Sequence, residues 1–371
     1  MKDRKKAAII SIVTIIFASA FFTCCGVKAP QQVEYNSQNG SCDGLYMSIT
    51  YGCNNEDNYT GREMVFYSYN LESRELTKEA TLPYDAKYAV GVVAKESNTI
   101  YYSRKSTPET PSANDSLCAY DISTGAVTVL ETENFSYNEI TMIDSDSLLV
   151  MAVTEQHPII PAIFNLKNRT FTYMANVNKE PLSLYTNGDT LLNYDYNTKS
   201  FVNIFQKEED RYSSDYCAFK SEIGTYISIV KDDLKKDPDK VFRIDMLQGH
   251  FIDNAVLVSD NQLLVERTDD YFDEQIGELI SERSFFLLTF EDTGNITFVQ
   301  TDPPFPVDGV RKHGYRTPDG GKTWYLILGE KSSEKGGLYS YSTETNELTP
   351  ILLNNPSIQG YTINFSFVPP G

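Results

Sequence analysis

The chain has 371 residues, with 51 acidic and 32 basic side chains, and its formal net charge is −19. This acidity argues against nucleic acid as a partner, because affinity for nucleic acid comes mostly from Lys and Arg side chains that neutralise phosphates. It also argues against docking of the folded part on an anionic lipid surface. Hydrophobic residues make up 41% of the chain and aromatic residues 12%, which is enough for a packed core.

The N-terminal segment is predicted to be an export signal. Residues 1–6 (MKDRKK) are mostly basic, and residues 7–22 form an uninterrupted apolar run of 16 residues. A helix of that length spans about 24 Å, which is short of the roughly 30 Å hydrocarbon core of a bilayer. A cleavable signal peptide therefore fits this segment better than a permanent membrane anchor.

The end of the apolar run resembles the lipobox of bacterial lipoproteins, in which two small residues precede the Cys that receives diacylglycerol. In the sequence FTCCG (residues 22–26), Cys25 fits this pattern, and Cys24 is the alternative. Phe22 departs from the family, which usually has Leu there. The resemblance implies acyl chains such as palmitate, membrane attachment, and a position facing outside the cytoplasm of a bacterium. An ordinary signal peptide with incidental cysteines is the other interpretation.

Three regions follow from these features: a signal peptide (1–24), a polar flexible tether (25–41) and a folded domain (42–371). Because export permits disulfides, Cys42 and Cys53 are candidates for a bond that closes a small loop at the start of the domain. Isolated buried thiols are the alternative, since the cysteines of the domain show no tight spacing.

From residue 42 onwards, the sequence is a series of short β-strand signals rich in Tyr, Phe, Val, Ile and Leu. A unit of strand, polar turn and strand recurs, most clearly at 117–130 (LCAYDISTGAVTVL). The Asp, Ser, Thr and Gly residues of its turn bond their own backbone or accept positive φ, as a tight hairpin requires. The other copies lie at 65–82, 162–174, 191–205, 241–252, 285–299 and 338–352.

Seven copies within residues 42–371 give about 47 residues per unit, which is the length of one β-propeller blade. The predicted fold is all-β: a β-propeller of about seven four-stranded antiparallel blades, with six or eight as alternative counts. A β-sandwich pair and a β-helix are the competing folds. One short amphipathic helix or loop insertion is expected from the spacing of Phe272, Ile276, Leu279 and Ile280.

The repeated turn, with the sequence D-x-x-T-G-x-x at 121–127, resembles the propellers of the TolB-like and quinoprotein-like groups. The resemblance covers nearly the whole mature chain, and it implies a ring of blades around a central channel. A second resemblance, at 317–324 (TPDGGKTW), is to the Asp-box of sialidases and related propellers. The box is a structural turn in those families, so it implies a fold and no catalytic role. Its defined positions are Thr317, Asp319, Gly321, Thr323 and Trp324.

No catalytic residue, metal ligand or cofactor is predicted. The three His residues are scattered at 157, 250 and 313, and the sequence has none of the common nucleophile, metal or phosphate motifs. A sialidase needs an arginine cluster, a Tyr nucleophile with a Glu partner, and an Asp acid/base. Phe242-Arg243-Ile244 is only a near match to its arginine motif.

The expected function is that of a binding module: a membrane-tethered, exported lipoprotein whose propeller holds a protein or glycan ligand through its loops. The alternatives are a sialidase-like glycosidase acting on extracellular carbohydrate, and an envelope assembly factor, as a resemblance to lipoprotein propellers implies. The fold itself does not define the ligand. The longest predicted loops, and so the candidate binding segments, are 105–116, 231–240 and 269–283.

Overall fold

In the part of the chain that it describes, the computed structural model folds into six four-stranded antiparallel β-sheets. None of the described residues forms a helix with the length and apolarity that crossing a membrane requires. The described residues are 44–53, 62–107, 114–132, 134–155, 159–173, 189–195, 200–213, 218–231, 240–243, 251–259, 261–291, 295–329, 335–354 and 361–369.

Each sheet is one blade of a propeller. Blade 1 contains β1 (Tyr46–Cys53), β2 (Glu63–Asn70), β3 (Leu76–Pro83) and β24 (Tyr361–Val368). Blade 2 contains β4 (Gly91–Ala94), β5 (Thr99–Lys105), β6 (Asp115–Asp121) and β7 (Val127–Glu131). Blade 3 contains β8 (Ser136–Asp144), β9 (Ser147–Val153), β10 (Ile160–Asn165) and β11 (Thr170–Tyr173).

The second half of the chain repeats this arrangement. Blade 4 contains β12 (Asp189–Asp195), β13 (Ser200–Ser213), β14 (Ala218–Lys231) and β15 (Lys240–Arg243). Blade 5 contains β16 (Phe251–Ser259), β17 (Gln262–Asp273), β18 (Glu278–Phe290) and β19 (Ile296–Thr301). Blade 6 contains β20 (Val310–Arg316), β21 (Thr323–Leu328), β22 (Gly337–Ser342) and β23 (Glu347–Leu353).

The first and last described strands pair with each other and close the ring. β24 pairs along its full length with β1 and forms the central strand of blade 1. The central strands of the other blades are β4, β8, β12, β16 and β20. Contacts among these strands, such as β4 with β8 and β12 with β16, surround the channel. Residues that are far apart in sequence therefore meet at the centre of the ring.

Blade strands are buried on both faces because each blade packs between two neighbours. In β17, Leu263 and Val265 belong to an apolar cluster within blade 5, on the face away from blade 6. Leu264, between them, packs on the opposite face in a cluster that includes Trp324 and Leu326 of blade 6. This two-sided burial explains why such strands read as continuous apolar runs instead of strict alternation.

Alternate side chains of β1 form hydrogen bonds with the backbone of β4, the central strand of blade 2. Thr50 Oγ1 donates to the carbonyl oxygen of Gly91 at 2.8 Å. Ser48 Oγ accepts a hydrogen bond from the Val93 N–H at 2.9 Å, and the Tyr46 hydroxyl donates to the Val93 carbonyl at 2.8 Å. A buried strand edge without partners is costly. Three side chains spaced two residues apart thus take the place of a neighbouring strand.

Four copies of the predicted repeat form the same five-residue turn between the third and fourth strands of a blade. The side chain of its first residue accepts a hydrogen bond from a backbone N–H two or three residues later. Its fifth residue has positive φ, which suits Gly and Asn best. The turns run from Asn70 to Arg74 (φ 58°), Asp121 to Gly125 (73°), Asn165 to Arg169 (57°) and Ser342 to Asn346 (55°).

The described strands form six blades, one of the counts that the repeat left open. The copy at 191–205 is the β12–β13 pair at the centre of blade 4, and the copy at 241–252 joins the end of β15 to the start of β16. These two copies are therefore not outer hairpins of separate blades. Blades 4 and 5 are also longer than expected, because their second and third strands have 12 to 14 residues each.

At 272–280 the sequence left a short helix or a loop insertion open, and the helix is wrong. This segment is the far end of the β17–β18 hairpin, where Phe272 pairs with Leu279 across the strands. The Gly277 N–H donates to the Asp273 carbonyl at 2.8 Å, and Gly277 has a φ of 70°. The spacing that resembles one face of a helix arises from a cross-strand pair on either side of a tight turn.

Candidate functional site

The central channel contains a cavity of about 170 Å³ between blades 1, 2, 3 and 6. It is bounded by the central strands β4, β8, β20 and β24 together with β21. Its polar lining comes from Asn138, Glu139, Thr141, His313, Arg316, Asn364 and Ser366. Its apolar lining comes from Val90, Ile140, Ile327 and Phe365.

Two central strands carry bulges where they line this cavity. In β8, one extra residue, Asn138, precedes Glu139 in the pairing with β9. In β20, the step from Val310 to Tyr315 covers five residues, while the partner strand β21 advances by only two. Bulges break the regular alternation of side chains and re-aim them. Neighbouring residues such as Asn138 and Glu139 can therefore both line the channel.

An ion pair joins blades 3 and 6 across the cavity. Arg316 Nη2 lies 3.3 Å from Glu139 Oε1, and Thr141 Oγ1 donates to the same carboxylate oxygen at 3.2 Å. The Arg316 guanidinium also lies 6.0 Å from the ring centre of Phe365. Both charged side chains are about one third exposed. The cavity therefore presents a cation, a carboxylate and an aromatic ring next to one another.

The far end of the β17–β18 hairpin exposes large apolar side chains. This hairpin tip consists of Tyr271, Phe272, Ile276 and Leu279, and the exposed fractions of Phe272 and Leu279 are 61% and 69%. Carboxylates on the same hairpin surround the tip, at Asp273, Glu274, Glu278 and Glu282. The predicted binding segment 269–283 is thus a projecting hairpin with an apolar end and acidic sides.

A Tyr, a Glu and an Arg do converge, but inside the interface between blades 5 and 6. The fully buried Glu266 bonds Arg283 Nε, and Arg283 Nη1 donates to the Val310 carbonyl at 2.9 Å. Burial raises the pKa of the Tyr315 hydroxyl well above its usual range, and the Glu266 carboxylate raises it further. Glu266 and Tyr315 are fully buried, so this cluster is closed to a glycan in the structure. Among the described residues, the channel cavity itself has one carboxylate, where a glycosidase needs two.

The turn between β20 and β21 is held by its own side chains. Asp319 Oδ1 accepts hydrogen bonds from the Thr323 N–H at 2.8 Å and from Thr317 Oγ1 at 3.0 Å. Gly321 has a φ of 88°, and its carbonyl accepts a hydrogen bond from Trp324 Nε1 at 3.0 Å. The Trp324 ring is fully buried. These contacts give the turn a structural role, while its identity as an Asp-box stays a prediction.

The predicted lipidation and disulfide positions are only partly within the described residues. Cys24, Cys25 and Cys42 lie outside them, so the lipid anchor and the Cys42–Cys53 bond stay predictions. Cys53 lies at the end of β1 and is half-buried. Cys118 is a buried thiol, and burial raises its pKa to about 11. Neither described cysteine is thus placed as a reactive nucleophile.

The other two predicted binding segments, 105–116 and 231–240, are described only at their ends. In the ranges that the structure covers, no group of three His, Cys, Asp or Glu side chains is arranged to hold a metal ion. His313 lies in the β20 bulge at the cavity, whereas His157 and His250 lie outside the described residues.

Several solved structures are similar in fold to this chain. TolB from Acinetobacter baumannii has a TM-score of 0.49 and 15% identity, over 87% of this chain and 67% of that one. Hydrazine synthase from Kuenenia stuttgartiensis has a TM-score of 0.45 and 8% identity, over 76% of this chain and 71% of that one. The β-propeller domain of the Trilobed protease from Pyrococcus furiosus has a TM-score of 0.42 and 14% identity, over 82% of this chain and 79% of that one. No family model and no curated protein matches the chain. At these values the similarities say nothing about function.

Sequence reasoning did not find Glu139 and Arg316, which are 177 residues apart. Neither residue belongs to a motif. Each lines the cavity because it lies on a central strand, Glu139 on β8 and Arg316 on β20. The one local signal is the run of charged residues and Gly at 311–314, which interrupts the apolar pattern of β20. Such an interruption in a central strand indicates a bulge.

Proposed function

We propose that the chain is an exported bacterial lipoprotein, anchored through Cys25 or Cys24, whose β-propeller binds another protein through the hairpin tip. The basic start, the short apolar run and the Cys pair support the anchor. The tether at 25–41 would hold the propeller close to the membrane while leaving it free to rotate.

The exposed hairpin tip is the observation that carries the binding role. Two strands of blade 5 extend beyond the packed ring and end in Phe272, Ile276 and Leu279, which are exposed to solvent. Exposed apolar patches with polar rims are typical of interaction sites. Because the surrounding side chains are carboxylates, the partner is expected to offer an apolar pocket bordered by Lys or Arg. A second copy of this chain is disfavoured by its own charge of −19.

Site-specific photo-crosslinking in the bacterium that encodes the chain tests this role. A photoreactive amino acid placed at Phe272 or Leu279 is expected to give one discrete protein adduct. The matched control is the same amino acid at Val129, an exposed residue on the outermost strand of blade 2. An adduct only with lipid, the same adduct from all three positions, or no adduct would each contradict the proposal.

The lipid anchor is tested separately by labelling cells with a palmitate analogue. Label is expected in the wild-type chain and in only one of the variants Cys24→Ser and Cys25→Ser, because a single Cys receives diacylglycerol. Label in both single variants and in the double variant would mean that the anchor lies elsewhere, and no label in the wild type would remove it.

A further inference from the structure

The charged pair in the channel has bonding capacity that none of the described residues uses. The contacts that Arg316 makes within the described residues are its Nη2 bond to Glu139 and its approach to the ring of Phe365. Both contacts to the Glu139 carboxylate, from Arg316 and Thr141, reach Oε1. The remaining guanidinium N–H groups and Glu139 Oε2 are therefore available to a ligand.

Stability alone does not account for this pair. Ion pairs with substantial exposure contribute about 0–1 kcal/mol, and both side chains are about one third exposed. Yet two bulges, one in β8 and one in β20, interrupt central strands beside Glu139 and Arg316. Bulges of this kind are over-represented next to binding and active sites, where they re-aim side chains.

The donors and acceptors of the cavity define a ligand with both charges. A guanidinium binds a carboxylate through two parallel N–H···O bonds, while Glu139 Oε2 accepts from a protonated amine. Asn364 donates through Nδ2 to the Ala89 carbonyl at 3.1 Å, which leaves its Oδ1 as a further acceptor. Arg316 and Glu139 cancel each other in charge, so the complementary ligand is neutral overall.

Size and apolar lining narrow the ligand further. The cavity is about 170 Å³, and one of about 150 Å³ accommodates a molecule as large as benzene. Val90, Ile140 and Ile327 form apolar walls that suit an aliphatic side chain. We infer that the channel cavity binds a free α-amino acid with an aliphatic side chain, its carboxylate on Arg316 and its ammonium on Glu139. This site shares no residue with the hairpin tip and goes beyond the proposed protein-binding role.

Calorimetry on the purified full-length chain in detergent tests the inference. L-Leucine, L-isoleucine and L-valine are the probes, compared with N-acetyl-L-leucine, which lacks the ammonium, and L-leucinamide, which lacks the carboxylate. At least one free amino acid is expected to bind, with each blocked derivative at least about tenfold weaker, because a bond to a charged group is lost. Equal binding of the blocked forms, or no heat up to about 10 mM, would overturn the site.

Variants identify the residues. Arg316→Gln and Glu139→Gln are each expected to weaken binding by about tenfold or more. The matched control is Arg104→Gln, because Arg104 pairs with Asp85 at 3.9 Å with similar exposure in blade 2, away from the cavity. If Arg316→Gln binds like Arg104→Gln, the inference is wrong. Should a variant fail to fold, the comparison of free and blocked amino acids on the wild-type chain still decides, and the crosslinking at Phe272 is independent of it.

Discussion

The buried pair Glu266–Arg283 of blade 5 is expected to stabilise the interface with blade 6, where Arg283 bonds the Val310 carbonyl. Removing one partner of the pair should cost far more than removing both. Glu266 is fully buried, and Arg283 is 18% exposed. Breaking a buried ion pair costs about 3–5 kcal/mol, whereas replacing both members with apolar residues is close to neutral. The structure thus predicts strong non-additivity at this interface.

The two single variants should differ because the partner left behind differs. After Glu266→Leu, Arg283 keeps its bond to the Val310 carbonyl and its partial exposure to solvent. The loss in free energy of unfolding should therefore be near the lower end of that range, about 3 kcal/mol. After Arg283→Met, the Glu266 carboxylate is left without water or a cation, so the cost should approach about 5 kcal/mol. The double variant should lie within about 1 kcal/mol of wild type.

Urea unfolding followed by Trp fluorescence measures these free energies. Trp324 is the single Trp of the chain and is buried at the same interface, with its ring centre 6.0 Å from that of Tyr315. Lys167→Met, which breaks an exposed pair with Asp146, is the control and should cost less than about 1 kcal/mol. A double variant as unstable as the sum of its singles would refute the reasoning.

Three further predictions concern a pair of glycines, one turn and one buried thiol. Gly91→Ala should lower the free energy of unfolding by about 1–3 kcal/mol, because the new Cβ would lie 2.7 Å from a Phe66 ring atom. Gly125→Asn should lower it by less than about 0.5 kcal/mol, because Asn tolerates positive φ. Asp319→Ala should cost about 1 kcal/mol by removing its turn hydrogen bonds; urea unfolding measures all three variants. Burial raises the pKa of Cys118 from 9.0 to about 11, so the fold favours the protonated thiol. Its contribution to stability is present below pH 9 and lost as the pH rises to 11, and Cys118→Ala should flatten that part of a pH–stability curve.

The blades could be predicted because their signal is local. Four outer hairpins each depend on one side chain that bonds its own turn and on one residue with positive φ, as at Asp121 and Gly125. Both requirements lie within five residues of sequence, so they appear as a repeat before any tertiary contact is known. The confirmed all-β propeller fold follows from those turns together with the strand composition.

The number of blades and the β17–β18 hairpin depend on pairing between strands, which the local sequence pattern does not define. Phe272 and Leu279 are seven residues apart, a spacing that suits one face of a helix as well as a cross-strand pair. The deciding element is the turn that starts at Asp273, where Gly277 takes positive φ and reverses the chain. A Gly four residues after an Asp is the same signal that marks the outer hairpin of blade 2 at Asp121 and Gly125. Applied to this segment, it favours the hairpin over the helix.

The channel site was harder to predict because a propeller assembles its centre from strands of different blades. Glu139 and Arg316 come from blades 3 and 6 and meet through the closure of the ring by β24 and β1. No sequence spacing relates them, since the distance along the chain depends on every blade between them. What local sequence does carry is the departure from strand pattern at each bulge, and at 311–314 that departure brings charge into a central strand. In a ring whose blades pack mainly through apolar side chains, irregular charged positions on central strands are therefore the best sequence guide to the residues that line the channel.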